Sequence, residues 1–235
     1  MGAAAARQAS ERICEAIDAR GIARVIFASA PSQHELLTSL AGDPAIDWHR
    51  VVAFHMDEYL GLSGQHPASF ARFLRERLPL ENAAFHAMRG DAQDPEAERR
   101  RYADLLTSGP IDLCCLGIGE NGHIAFNEPS MADFGDGESV RIVELDLASR
   151  EQQVHDGCFD DVASVPTRAL TLTIPALLRS DTLVCVVPGP AKAGAVRLTL
   201  AGPVEPSCPA SVLRTHGRGT LHLDTAAAAL LGDVG

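Results

Sequence analysis

The chain has 235 residues, 46% of them hydrophobic and 22% charged, with 31 acidic against 20 basic side chains and a formal charge of −11. That size and composition fit one globular domain over residues 1–235 and exclude disorder as the main state. The acidic balance opposes capture of a nucleic-acid backbone, no run approaches the roughly 18 apolar residues of a membrane span, and residues 1–20 lack the basic and apolar regions of an export signal, so a cytoplasmic compartment is expected.

The pattern begins with a surface helix over 3–19, rich in Ala, Arg and Glu. A first strand is predicted at 23–30 (ARVIFASA), a helix at 33–41, a second strand at 50–56 (RVVAFHM), and helices at 67–77 and 95–107. A third apolar run, IDLCCLGI, occupies 111–118; further strands are expected at 140–145, 170–173, 182–187 and 220–223, with helices at 190–200 and 225–231. Short apolar runs alternating with helical patterns specify an α/β fold, a modified Rossmann-like, doubly wound, mostly parallel sheet flanked by helices. The Pro/Gly-bearing stretch 202–209 reads as a loop before a short helix. The six cysteines include no CxxC pair, and Cys114, Cys115 and Cys185 lie inside strand-like runs. They read as reduced core thiols, and no metal site is expected.

Three strands end in polar loops: SAPSQHE, DEYLGLSGQHP and GENGHIAFNEP. In a doubly wound sheet, loops at the carboxyl ends of strands converge on one crevice. The third loop gathers Glu120, Asn121, His123, Asn127 and Glu128, with Gly117, Gly119 and Gly122 permitting tight turns. A histidine exchanges protons near neutral pH, and a neighbouring carboxylate fixes its tautomer and supports its cation. The GIGENG outline of a dinucleotide loop follows the third strand, not the first, which argues against a nicotinamide site. In the second loop, Asp57 and Glu58 follow a strand buried on both faces, and desolvation there raises a carboxylate toward the range of a general base. His55 reads as a hydrogen-bonded packing residue; His66 fits a loop position or a substrate contact equally.

The combination FHMDEYLGL and LGIGENGHIAFNEP resembles the glucosamine-6-phosphate deaminase (isomerase) family, and a weaker similarity runs through VPTRALTLTIPALL and PGPAKA to about residue 215. The related 6-phosphogluconolactonases share the GH element, but the AFNEP continuation here points to the deaminase side. The resemblance implies opening of an amino-sugar phosphate ring, proton transfer between C2 and C1 through an enolamine, and hydrolysis to fructose 6-phosphate and ammonia, without metal or organic cofactor. It assigns Asp57 to the C2 proton, His123 to ring opening, with Glu128 and Asn121 beside it, and Lys192 to the sugar phosphate. Ser32, Gln33, Glu58 and Gly122 complete the expected substrate contacts.

Two departures from the family pattern stand out. Asn121 occupies a position where the family commonly has aspartate, and APSQHE replaces a threonine- and glycine-rich phosphate loop. No clear counterpart of a phosphate-binding arginine occurs in REQQVHDGCF. The resemblance leaves three functions open: a deaminase, a lactone hydrolase, or a catalytically silent sugar-phosphate sensor. The expected partner is a small-molecule sugar phosphate; both monomers and homo-oligomers occur among such proteins. Residues 135–139 and 156–164 are the two candidates for a lid.

Overall fold

The computed structural model describes residues 1–155 and 157–232. Its spine is a parallel six-stranded sheet of β1 (Ala23–Phe27), β2 (Val51–His55), β4 (Ala84–His86), β5 (Leu113–Leu116), β8 (Thr182–Val187) and β9 (Gly219–Leu223), in the order β4-β2-β1-β5-β8-β9. Against it lies a smaller antiparallel sheet, β3 (Asp57–Tyr59), β7 (Arg168–Leu172) and β6 (Val140–Glu144), in the order β3-β7-β6. The strand order reverses between β1 and β5, which is where open α/β sheets bind ligands.

The central strands read as continuous apolar runs because both of their faces are buried. Val25, Phe27, Leu113, Cys115, Val184 and Val186 point into one core, covered by α1 (Gly2–Arg20) through Ala9, Ile13 and Ile17 and by α2 (His34–Ala41) through Leu36, Leu37 and Leu40. Their neighbours Ile26, Cys114, Leu116, Leu183 and Cys185 point into the other, with Tyr102 and Leu106 of α4 (Pro95–Thr107) and Leu170 and Leu172 of β7. This alternation is the period of two intrinsic to a strand. A third cluster, Tyr59, Phe70, Phe126, Val143 and Ala169, packs beside the smaller sheet.

Helix ends follow local chemistry. The α1 helix stops at Gly21, whose φ of 80° is the left-handed conformation of a C-cap and whose N–H bonds the Ile17 carbonyl. The helix α3 (Phe70–Arg75) begins later than the predicted position 67 because Ser69 accepts the Arg72 N–H as an N-cap. Among the later elements, α5 (Leu147–His155), α6 (Ile174–Leu178) and α7 (Ala193–Ala201) follow, and the short helix expected after the 202–209 loop is a 3-10 helix at Pro209–Thr215. Residues 225–231, predicted helical, form turns instead. The segment is too short for cooperative helix formation, and Asp224 ties its start to Ala227 N–H and to Gly189 N–H.

All six cysteines are free thiols, with Cys114, Cys115 and Cys185 buried. Among the described residues no helix is long and apolar enough to cross a membrane.

Candidate active site

The carboxyl ends of four parallel strands supply one cavity lined by both polar and apolar side chains. Ala28–Ser32 enter from β1, Met56 and Asp57 from β2, Gly117–Gly119 and His123 from β5, and Lys192 from the short 3-10 helix Pro190–Lys192 after β8. Gln152, Gln153 and Cys158, from α5 and the segment after it, overlie the same space. Asp57 and His123, from separate turns, therefore face one cavity.

Asp57 is 8% exposed. It begins β3, in register with Thr171 of β7, so the seam between the two sheets fixes its backbone. Burial, with the neighbouring Glu58 charge adding to it, pushes its carboxyl up to about 8. Desolvation disfavours the anion, and a like charge disfavours it further. The group is poised as a base whose proton returns readily near neutral pH.

His123 rests on a turn built for it. A side chain at Gly119 would collide with the imidazole, its Cβ falling 2.2–2.4 Å from three ring atoms, so glycine makes the space that the ring occupies. Nδ1 lies 2.9 Å from Asn121 Oδ1 and 3.1 Å from Glu128 Oε1. Two acceptors at one nitrogen place the proton on Nδ1 and leave Nε2 as the exchanging atom. Asn121 Nδ2 in turn donates to Glu128 Oε2 at 2.6 Å, which fixes the amide's orientation, and its Oδ1 also accepts the His123 N–H at 3.0 Å. Glu128 is fully buried and also accepts from Ser149 Oγ of α5. Burial pushes its carboxyl upward, but the hydrogen bonds and charge of His123, with Ser149 and Asn121, prevail and hold it at about 2.

The remainder of AFNEP shapes the turn. Asn127 Nδ2 donates to the Ile124 and Leu172 carbonyls at 2.8 and 2.9 Å, tying the loop to β7. Ala125 adopts φ 51°, a left-handed conformation costing a non-glycine residue about 1–2 kcal/mol. Both Ala125 and Phe126 line the cavity wall.

Of the other predicted contacts, Ser32 and Lys192 line the cavity, whereas Gln33, Glu58 and Gly122 serve the fold. Gln33 is fully buried, with Nε2 donating to the Val186 carbonyl and to Ser32 Oγ. Glu58 turns away from Asp57, because alternate residues on a strand face opposite sides, and accepts hydrogen bonds from Tyr59 N, Ser69 Oγ, Phe70 N and Ala71 N. Gly122 supplies a φ of 89° to the turn, its N–H bonded to the Gly119 carbonyl. His55 is a buried packing residue, its Nε2 accepting the Met88 N–H at 2.8 Å. His66 stacks on Phe159 in its loop, outside the cavity lining.

Sequence reasoning missed three contributors. Ser29 lines the cavity with its hydroxyl buried and unpartnered among the described residues. Gln152 and Gln153 belong to α5, whose polar sequence announced no helix; Gln153 Oε1 accepts the Tyr59 hydroxyl at 2.6 Å. The signal at Lys192 was stronger than its motif alone, since it is the only lysine in the chain. Of the two lid candidates, 135–139 stays outside the cavity lining, while Cys158 of the second reaches it; Asp156 of that stretch lies outside the described residues.

Fold and geometry define an α/β protein with an acid–base cluster at the switch point of a parallel sheet. The family model for glucosamine-6-phosphate isomerases/6-phosphogluconolactonase matches residues 1–223, and the chain belongs to that family. It is 39% identical over 188 residues to the glucosamine-6-phosphate deaminase of an Exiguobacterium species, covering 78% of this chain and 71% of the relative. The Latilactobacillus sakei deaminase is 34% identical over 196 residues, covering 83% and 80%. A solved monomeric glucosamine-6-phosphate deaminase superposes with a TM-score of 0.88 at 31% identity over 97% of this chain and 95% of that one. A 6-phosphogluconolactonase from Shewanella baltica, at 21% identity and a TM-score of 0.73 over 95% and 93% of the two chains, shares the fold.

Proposed function

We propose that the protein is a glucosamine-6-phosphate deaminase, converting the amino-sugar phosphate to fructose 6-phosphate and ammonia. The observation that carries this reading is the placement of Asp57 and His123 on one cavity wall system together with Lys192. His123 Nε2 exchanges the proton that opens the ring at its endocyclic oxygen, while Nδ1–H stays on Asn121 and Glu128. Asp57 then takes the C2 proton of the open-chain aldehyde and returns it to C1 of the enolamine. Water adds to C2 of the resulting ketimine and ammonia departs. Lys192, Ser29 and Ser32 supply a cation and two hydroxyls for the phosphate end. The relatives at 34–39% identity are deaminases, whereas the lactonase likeness is one of fold, so the hydrolase reading is not favoured.

The test couples ammonia release to ketose formation with glucosamine 6-phosphate, using Asp57→Asn as the control. Wild type is expected to form both products in equal amounts, and Asp57→Asn to lose about 10²–10⁴-fold in rate. Acid formation from 6-phosphogluconolactone without ammonia from the amino sugar would instead support the lactonase, and tight binding of glucosamine 6-phosphate without turnover the sensor.

A further inference from the structure

The cavity's phosphate end contains an internal competitor. Lys192 lines the cavity with its side chain mostly buried, and Glu120 Oε1 lies 4.0 Å from its Nζ. The same Glu120 oxygen is 3.9 Å from His155 Nδ1, at the end of α5. Glu120 itself stands at the rim, in a shallow depression shared with Glu151, Gln152 and His155. It belongs to the turn that carries His123, yet no step of the reaction uses it.

We propose that Glu120 is an affinity-setting residue that pairs with Lys192 and must yield it to an incoming phosphate. This rests on the deaminase reading for the substrate's identity, though not for the ion pair. A carboxylate at salt-bridge distance from the only lysine lowers the gain from any anion reaching that lysine, because the anion must replace an attraction already made. A complete sugar phosphate offsets this loss through its hydroxyl and amino contacts. Free inorganic phosphate has no such contacts, so the same penalty leaves it only weakly bound. Substrate and product carry the same phosphate, so a weakened grip also favours release.

Inorganic phosphate is the probe, titrated calorimetrically into wild type, Glu120→Gln, Lys192→Gln and the double variant. Glu120→Gln is expected to bind phosphate about tenfold tighter than wild type, and the gain is expected to vanish when Lys192 is also replaced. The KM for glucosamine 6-phosphate should fall in parallel. Phosphate binding in Glu120→Gln no tighter than in wild type, or a gain that persists without Lys192, overturns the proposal. Absence of turnover with glucosamine 6-phosphate defeats the functional reading alone, since the phosphate titration decides the role of Glu120 without it.

Discussion

At the residue scale, the site brings together two opposite electrostatic solutions from separate loops. Asp57 is held up to about 8 by burial and by the Glu58 charge, whereas the buried Glu128 is held at about 2 by its donors. The first has a stability consequence. A folded-state carboxyl raised from 3.8 keeps its proton where the unfolded chain has lost it, so its stability contribution is complete below pH 3.8 and disappears as pH rises toward 8. Asp57→Asn cannot ionise; its melting temperature should match wild type near pH 4 and exceed it at about pH 8 by several degrees, at roughly 2–4 °C per kcal/mol. Thermal unfolding across that range checks this, and the same ionisation should make kcat/KM rise with pH through a midpoint near 8. Asn121 yields a second expectation. Its sequence position suggests a lost aspartate, but the amide donates to Glu128 at 2.6 Å, so Asn121→Asp would set two carboxylates against each other. One must then hold a proton. We expect near-neutral activity within about threefold of wild type and an added ionisation in the pH–rate profile, whereas Asn121→Ala, leaving Nδ1 with one acceptor and the ring less fixed, should lose about tenfold or more. The sequence made the residues of this cluster legible through their spacing. It could not reveal that the amide and the carboxylate bond each other, because that depends on the turn closed by Asn127 and on Ser149 arriving from a helix.

At the element scale, legibility followed hydrophobic length. The runs at 23–30, 50–56, 111–118 and 182–187 announced β1, β2, β5 and β8 because both faces of those strands are buried. The three-residue strands β3 and β4 carry no such run: β3 is the acidic Asp57–Tyr59, which pairs with β7 through its backbone. The five-residue helix α6 is set by the Thr173 cap and Pro175 rather than by an amphipathic period. Glu58 links β3 to α3 and shows why a charged pair after a strand misleads. Its carboxylate occupies the start of α3, taking the Phe70 and Ala71 N–H groups that have no partner within a helix. In Glu58→Gln the amide NH2 cannot accept, so one of the four donors, Ala71 N–H or another, is left buried and unpaired at about 1–3 kcal/mol. Denaturant unfolding should register that loss in the midpoint. Because removing the Glu58 charge also eases ionisation of Asp57, the rising limb of the pH–rate profile should move to lower pH in the same variant.

At the scale of the whole molecule, the His123 turn is tied to a segment more than 80 residues further along the chain through Gly122. Its carbonyl accepts the Ala210 N–H at 2.8 Å, which joins the His123 turn to the 3-10 helix at Pro209–Thr215. A Cβ on Gly122 would lie 2.8 Å from Cys208 Sγ, and the φ of 89° is itself unfavourable for any side chain. Gly122→Ala therefore carries two separable costs, a clash and a backbone penalty, the latter about 1–2 kcal/mol. Replacing Cys208 by alanine in the same chain removes the sulfur and relieves the clash alone. Gly122→Ala is expected to unfold earlier than wild type and to lose ammonia release beyond its loss of stability, because a turn pushed from Cys208 carries His123 with it. The Gly122→Ala/Cys208→Ala double variant should recover part of both losses relative to Gly122→Ala, and the remaining deficit measures the backbone penalty. Recovery of neither quantity would place the whole cost in the turn itself and separate the Pro209–Thr215 segment from His123.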